Sequence, residues 1–315
     1  MRGLWIAGAV TAVLIGVTGF GTVRSSALGQ DAEHERITRQ GMLTGGPFLG
    51  PWTLSELAGE NGTWGAVGAP DNPARGLMSS MENHCDSADF FDEKGYPQSK
   101  ADAQKKLEAC RNYIFARLNE AVRDAGALAE QTAGGKWVPR ADQMPSKAND
   151  CSYLGTKGRA KCNVLEDIGL ALHASQDFYS HSNWGDRENT GKPVARDNPR
   201  GLNNSAPAAW LDPASPGTPF PDGLITGCYE GFPEPTNCNY GFFKSRVKHS
   251  YLNKDGAGKD RASINGNFQK VFNLAATDTW RKWQWVESQI MATYPGSRGN
   301  AIICGLRNDS AASCQ

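Results

Sequence analysis

The stretch LALHASQDFYSHSNW, residues 170–184, sets His173, Asp177 and His181 four residues apart. A helix turns by about 100° per residue, so the three side chains form one stripe, each about 40° round from the last. Leu165, Ile168 and Leu172 run beside that stripe and turn it inward or into a cleft. Glu166 and Gly169 lie beneath it, and a glycine there lets another backbone come close. Two imidazoles and a carboxylate in an apolar setting need compensation, because burying unpaired polar groups is costly. A divalent metal supplies it by gathering nitrogen and oxygen ligands and neutralising the carboxylate. The competing reading is a pair of hydrogen-bonded core or rim histidines.

The chain has only five histidines. The other three are His34 in AEHERIT, His84 in MENHCDSADFF and His249 in VKHSYLNKD, each beside carboxylates or a polar cluster. None sits in a run of surface charge. That pattern predicts convergence on one distributed site.

The elements that must position these residues are mainly helical. Helices are predicted near 32–42, over 99–131, over 161–182 and over 261–294. In the second, Ser99 and Asp102 suit an N-terminus, and Leu107, Cys110, Ile114, Leu118 and Val122 recur at helical spacing. In the last, Phe268, Phe272, Leu274, Trp280, Trp283 and Val286 form the apolar set. Segments 45–75 and 185–245 are rich in Gly, Pro and Asn and read as long loops, the kind that line a site. Alternating strand patterns are scarce and repeats are absent. The expectation is a mostly α, single-domain chain over 28–315 with long loops pinned by disulfides.

Arg2 precedes an uncharged apolar run from Leu4 to Val23, and the small residues SSA follow. Residues 1–27 therefore read as a cleaved secretory signal, leaving no stable membrane span; an uncleaved anchor is the rival. The eight cysteines all follow that segment and contain no CxxC pair. An even count in an oxidising compartment predicts disulfides. Cys151–Cys162, Cys228–Cys238, Cys304–Cys314 and Cys85–Cys110 are neighbours along the chain, although spacing alone leaves the pairing open. The full chain is neutral, and removing residues 1–27 takes away Arg2 and Arg24, leaving about −2. No basic footprint for nucleic acid is present.

The segments EHERITRQ, PDNPARGLMSSMENHCD and HASQDFYSHSNW together resemble the zinc-dependent phospholipase C superfamily, which includes fungal single-strand nucleases. QDFYSHSNW is most similar to its heterokaryon-incompatibility C-like branch and to secreted CinY-type proteins. The resemblance spans about residues 33–255. It implies a phospholipase C/nuclease-like helical fold with two or three zinc ions that cleaves phosphoester bonds. His34 matches the first-helix ligand, and Asp71 and His84 match an aspartate–histidine pair. His173 and Asp177 match the central HxxxD, whose aspartate bridges two metals. His181 matches a following histidine ligand at closer spacing, and His249 matches the last histidine. The phospholipase and nuclease branches carry an acid four residues after that histidine. Asn253 stands there in this chain, and Asp255 is the candidate substitute. Those branches also begin with a metal-binding tryptophan, and no Trp follows residue 27 before His34.

Asp86 and Asp89 are either further ligands or supports for His84, and the same choice applies to Glu33 and Glu35. Phe178, Tyr179 and Trp184 read as core around the site. The leading expectation is a secreted zinc-dependent phosphoesterase acting on a phospholipid headgroup or other small phosphodiester, with nucleic acid less favoured. Asp71 and Asp177 are its candidate catalytic carboxylates. The alternatives are a non-enzymatic, zinc-stabilised interaction protein and a disulfide-rich helical protein without metal.

Overall fold

A computed structural model describes residues 29–45, 48–229, 238 and 246–314. The apolar run Leu4–Val23 lies outside these residues. In chain order the helices are α1 (Gly29–Thr44), α2 (Pro51–Ala58), α3 (Gly65–Gly68), α4 (Met81–His84), α5 (Lys100–Ala125), α6 (Ala160–His181), α7 (His249–Leu252), α8 (Asn267–Thr293) and α9 (Ser297–Arg307). A short antiparallel hairpin, β1 (Ala129–Gln131) with β2 (Trp137–Pro139), follows α5. The fold is mostly α, and among the described residues no helix is long and apolar enough to cross a membrane.

Helix α6 is the axis. Every residue from Ala160 to His181 except Asn163 is buried. A helix buried all round needs neighbours on every side, and α5, α3, α8, α4 and α2 supply them. Leu165, Ile168, Leu172 and Phe178 of α6 share one core with Leu107, Ile114 and Leu118 of α5 and Trp283 of α8. Tyr179 and Trp184 join it: the Tyr179 hydroxyl accepts the Ala208 N–H at 2.8 Å, and Trp184 Nε1 donates to Ala206 O at 2.9 Å. Gly169 allows the tightest approach. A Cβ there would lie 2.4 Å from the carbonyl carbon of Ala66, so α3 crosses α6 backbone to side.

Two predicted helices are too long. The segment 99–131 starts as expected, with Ser99 Oγ accepting the Asp102 N–H. It leaves the α-helix after Ala125, because residues 129–139 form the hairpin, whose turn uses Gly135 at φ +79°. The segment 261–294 begins helix only at Asn267, since Asn265 and Gly266 adopt φ +47° and +73°. The 45–75 segment is more ordered than a loop, as it carries α2 and α3. Between 185 and 229 the loop expectation stands: only the 3-10 turn Ala209–Leu211 interrupts it.

All four disulfides join sequence neighbours: Cys85–Cys110, Cys151–Cys162, Cys228–Cys238 and Cys304–Cys314. The first ties the end of α4 to α5. The second ties the loop before α6 to its first turn. The third ties Cys228, whose backbone pairs with Lys248 just before α7, to Cys238.

Candidate metal centre

The stripe of α6 meets α1, α4, α7 and the turn after α3. His34 comes from α1, Asp71 from the 3-10 turn Ala69–Asp71, His84 from α4 and His249 from α7. All five histidines and three carboxylates therefore converge. Asp177 is the hub. Its Oδ1 lies 3.2 Å from His34 Nε2, and its Oδ2 lies 2.8 Å from His84 Nδ1 and 3.1 Å from His173 Nε2. Asp71 faces the same three rings at 3.8–3.9 Å.

Their donor atoms form three groups, each gathered within 4.8 Å: His34, Asp71 and His173; His84, His173 and Asp177; Asp86, His181 and His249. The first two share His173, whose single facing nitrogen serves one ion at a time. They are one crowded locus, and the third group is separate. Asp86 thus joins the site.

In His173, His34, His84 and His181 the ring nitrogen that faces away from these groups is anchored. His173 Nδ1 donates to Val67 O at 2.9 Å, which leaves Nε2 as a lone pair facing Asp177. His34 Nδ1 donates to Gln176 Oε1 at 2.8 Å, and the Gln176 amide is itself fixed by Thr38 and Thr279 at 3.0 Å each. His84 Nε2 points at Leu77 O at 3.3 Å. His181 Nε2 donates to both oxygens of Asp255 at 2.9–3.0 Å, so Asp255 sits behind His181 rather than within any of the three groups. Holding the rear N–H sets the tautomer and aims the other nitrogen, as metal-ligating histidines require. Asp255 is placed in turn by its neighbour Lys254, whose buried ammonium binds Ser182 O at 2.9 Å and Asp186 at 3.2 Å. Asn253 Oδ1 accepts the Asp255 N–H at 2.8 Å.

The electrostatics call for a cation. Burial opposes a charge on His34, yet Asp177 and Asp71 outweigh it and push the ring up to about 10. Burial is likewise outweighed by Asp177 at His84, pushed up to about 9, and by Asp255 at His181, also pushed up to about 9. Burial lowers His173; burial and the charge of His181 take His249 down to about 3. Burial raises Asp86 to about 7, whereas the surrounding His173 and His34 rings overcome burial and hold Asp177 well below the usual carboxylate range. A divalent ion would deliver that positive charge through the same nitrogens. The residues fit such an ion on independent grounds as well. Asp86 Oδ1 and His181 Nδ1 are buried, 4.0 Å apart, and neither has a hydrogen-bond partner among the described residues. His249 Nε2 lies 3.9 Å from the same oxygen. Orphaned buried donors and acceptors are rare unless an ion or water completes them.

Other sequence candidates go elsewhere. Asp89 forks onto Arg246 and accepts from Tyr96. Glu33 and Glu35 pair with Arg36 and Arg39 at 2.8 Å. Glu166 pairs with Arg75. The supports Val67 O and Leu77 O leave no mark in a sequence, being backbone. Gln176 does, lying three residues after His173 on α6 beside the stripe, but an amide on a helix is too common to mark it out.

The centre is thus a set of buried, pre-aimed His and Asp donors suited to metal. Comparison with family models, curated proteins and solved structures returns no match.

Proposed function

We propose that this chain is a secreted zinc-dependent phosphoesterase, hydrolysing a phosphodiester in the manner of phospholipase C. The observation that carries it is Asp177 at the centre of four imidazoles, those of His34, His84, His173 and His181, each held from behind through its far nitrogen. Three nitrogen and oxygen protein donors to an ion is the donor count of catalytic zinc. When bound there, zinc supplies a water of near-neutral pKa and positive charge for a phosphoryl oxygen.

The chain's own groups have distinct tasks. Asp177 holds the rings of His34, His84 and His173 in register. Asp71 is the most exposed carboxylate of the cluster, at 11% of its side chain, and so the one an incoming water meets. It orients that water and accepts its proton. Asp255 and Gln176 keep His181 and His34 in single tautomers. The near-neutral, slightly acidic mature charge favours a small or lipid-borne phosphodiester over a long nucleic acid. The four disulfides fit export to an oxidising compartment.

One observation favours a second reading, a metal-stabilised protein without catalysis. The cluster is closed: His173 is 0% exposed, His181 1% and Asp177 4%. Structural metal sites are closed, whereas catalytic ones keep a position open. Metal content and turnover separate the two. The purified chain should carry zinc and hydrolyse a chromogenic phosphodiester, and His173→Ala should abolish both. Zinc without turnover of any phosphoester leaves the structural reading; a protein that binds no divalent metal removes both.

A further inference from the structure

A cavity of about 290 Å³ lies apart from the centre, with none of the metal-group donors in its wall. One wall is the first two turns of α5, where Lys100, Ala103, Gln104 and Leu107 fall at helical spacing on one face. Phe90 and Phe91 form the second wall, and Phe220, Leu224 and Ile225 the third. The size is near the lower end of small-molecule sites, about 300–1,000 Å³, and the mainly apolar lining is typical of them.

The walls are held apart by covalent and polar ties that spend none of the cavity's apolar surface. Cys110, one turn beyond Leu107, is bridged to Cys85, five residues before Phe90. Asn183 is 2% exposed and joins three segments: its amide donates to Arg200 O at 2.9 Å and Gly223 O at 2.8 Å, and its oxygen accepts the Ile225 N–H at 2.9 Å. With its polar atoms so used, Asn183 offers a ligand little but shape. The pocket is preformed, which lowers the cost of binding.

The rim decides the head of the ligand. Lys100 is paired with Asp222 at 2.9 Å on the open surface. Arg200 and Asp92, both exposed, carry opposite charges. A rim balanced in this way selects neither an anion nor a cation, so apolar burial must supply the affinity. We propose that this cavity binds the aliphatic tail of a single-chain amphiphile with an uncharged head, such as a medium-chain alcohol. The site is independent of what the metal groups do.

The test uses the purified, disulfide-intact, metal-loaded chain, titrated by calorimetry with linear alcohols of increasing length and with decanoate. Affinity should rise roughly fourfold per added methylene, then stop rising once the cavity is full, at one ligand per chain. Decanol should bind more tightly than decanoate. Gln104→Trp, an exposed position at the mouth, should block binding without disturbing the fold, and Ala103→Phe should fill the floor. Absence of saturable binding up to the solubility limit overturns the proposal. So does binding that survives both substitutions in folded protein, or decanoate binding as tightly as decanol.

Discussion

His84 Nδ1 and Asp177 Oδ2 lie 2.8 Å apart although 93 residues separate them in the chain. The contact joins α4, a single turn ended by Cys85 at φ +53°, to the buried axis α6 one turn before its C-terminal end. It makes the centre a product of tertiary packing rather than of one motif. Asp177 can be a hub only because α1 and α4 each bring an imidazole to it and α3 brings Val67 O to the His173 ring beside it, and each of those elements is positioned by a different device. Polar anchoring behind the rings, a close backbone crossing and a disulfide are the three, and each can be removed singly.

Anchoring comes first. Gln176 holds His34 from behind and is itself held by two threonine hydroxyls. Gln176→Leu removes the acceptor of the His34 N–H and frees the ring to change tautomer. Metal affinity should fall roughly 10–100-fold, as it does when such supporting partners are lost. Gln176→Glu, which still accepts from Nδ1, should recover most of it. Chelator-competition titrations of the two variants check this, and equal affinities for Leu, Glu and the native residue would show that the anchor is idle.

Close approach is next. The Gly169→Ala Cβ would sit 2.4 Å from the backbone of Ala66, where nothing flexible can yield. Helix α3 must then move off α6, taking Val67 O away from His173. Overpacking of this kind costs about 1–3 kcal/mol. Thermal midpoint and metal affinity should drop together. Gly158→Ala, where a Cβ meets nothing within 4 Å, is the control and should change neither.

These two residues mark what was legible in the sequence. Gly169 and the His173–Asp177–His181 stripe follow from helical periodicity, which is local and survives in a single chain. The same periodicity located α6 and the start of α5 nearly to the residue. It overran at 126–131 because turn glycines and a three-residue hairpin pair carry almost no periodic signal. The donor set was found from the scarcity and setting of the histidines. How the donors divide was not: Asp86 joins His181 and His249, while Asp255 stands behind His181, and only the packing of α7 against α6 fixes that. The backbone carbonyls of Val67 and Leu77 are invisible to residue type altogether.

The covalent device is the Cys85–Cys110 bridge, which closes a span of 25 residues. Cys85 lies between His84 and Asp86, one donor from each locus. The paired Cys85→Ala and Cys110→Ala substitutions should cost roughly 2–4 kcal/mol in denaturant melts. They should also lower metal occupancy at both loci. Removing Cys304–Cys314 by the same means should cost stability while leaving occupancy intact, since that bridge closes the C-terminal segment and holds no donor. Equal loss of metal in the two variants would mean that occupancy simply tracks stability.

Proton competition is the last. His34, His84 and His181 stand at about 10, 9 and 9 against an ordinary 6.5, so the folded, metal-free chain binds these protons more tightly than the unfolded chain does. The stability they contribute is complete below pH 6.5 and is lost as pH climbs through 9 to 10. Asp86, raised from 3.8 to about 7, loses its contribution in the same direction at lower pH. His173 and His249 are lowered and act in the opposite sense, but only below 6.5. Lys161, lowered to about 8 by burial, also opposes the trend, yet it is common to metal-free and metal-loaded protein and cancels in their difference. A metal that replaces those protons gains on them as pH rises. The gap in urea midpoint between loaded and chelator-treated protein should therefore widen steadily from pH 6.5 to about 9, with protons released on loading at the lower end. A gap that stays constant over that range would mean that the metal displaces no protons from these rings, and that its ligands lie elsewhere.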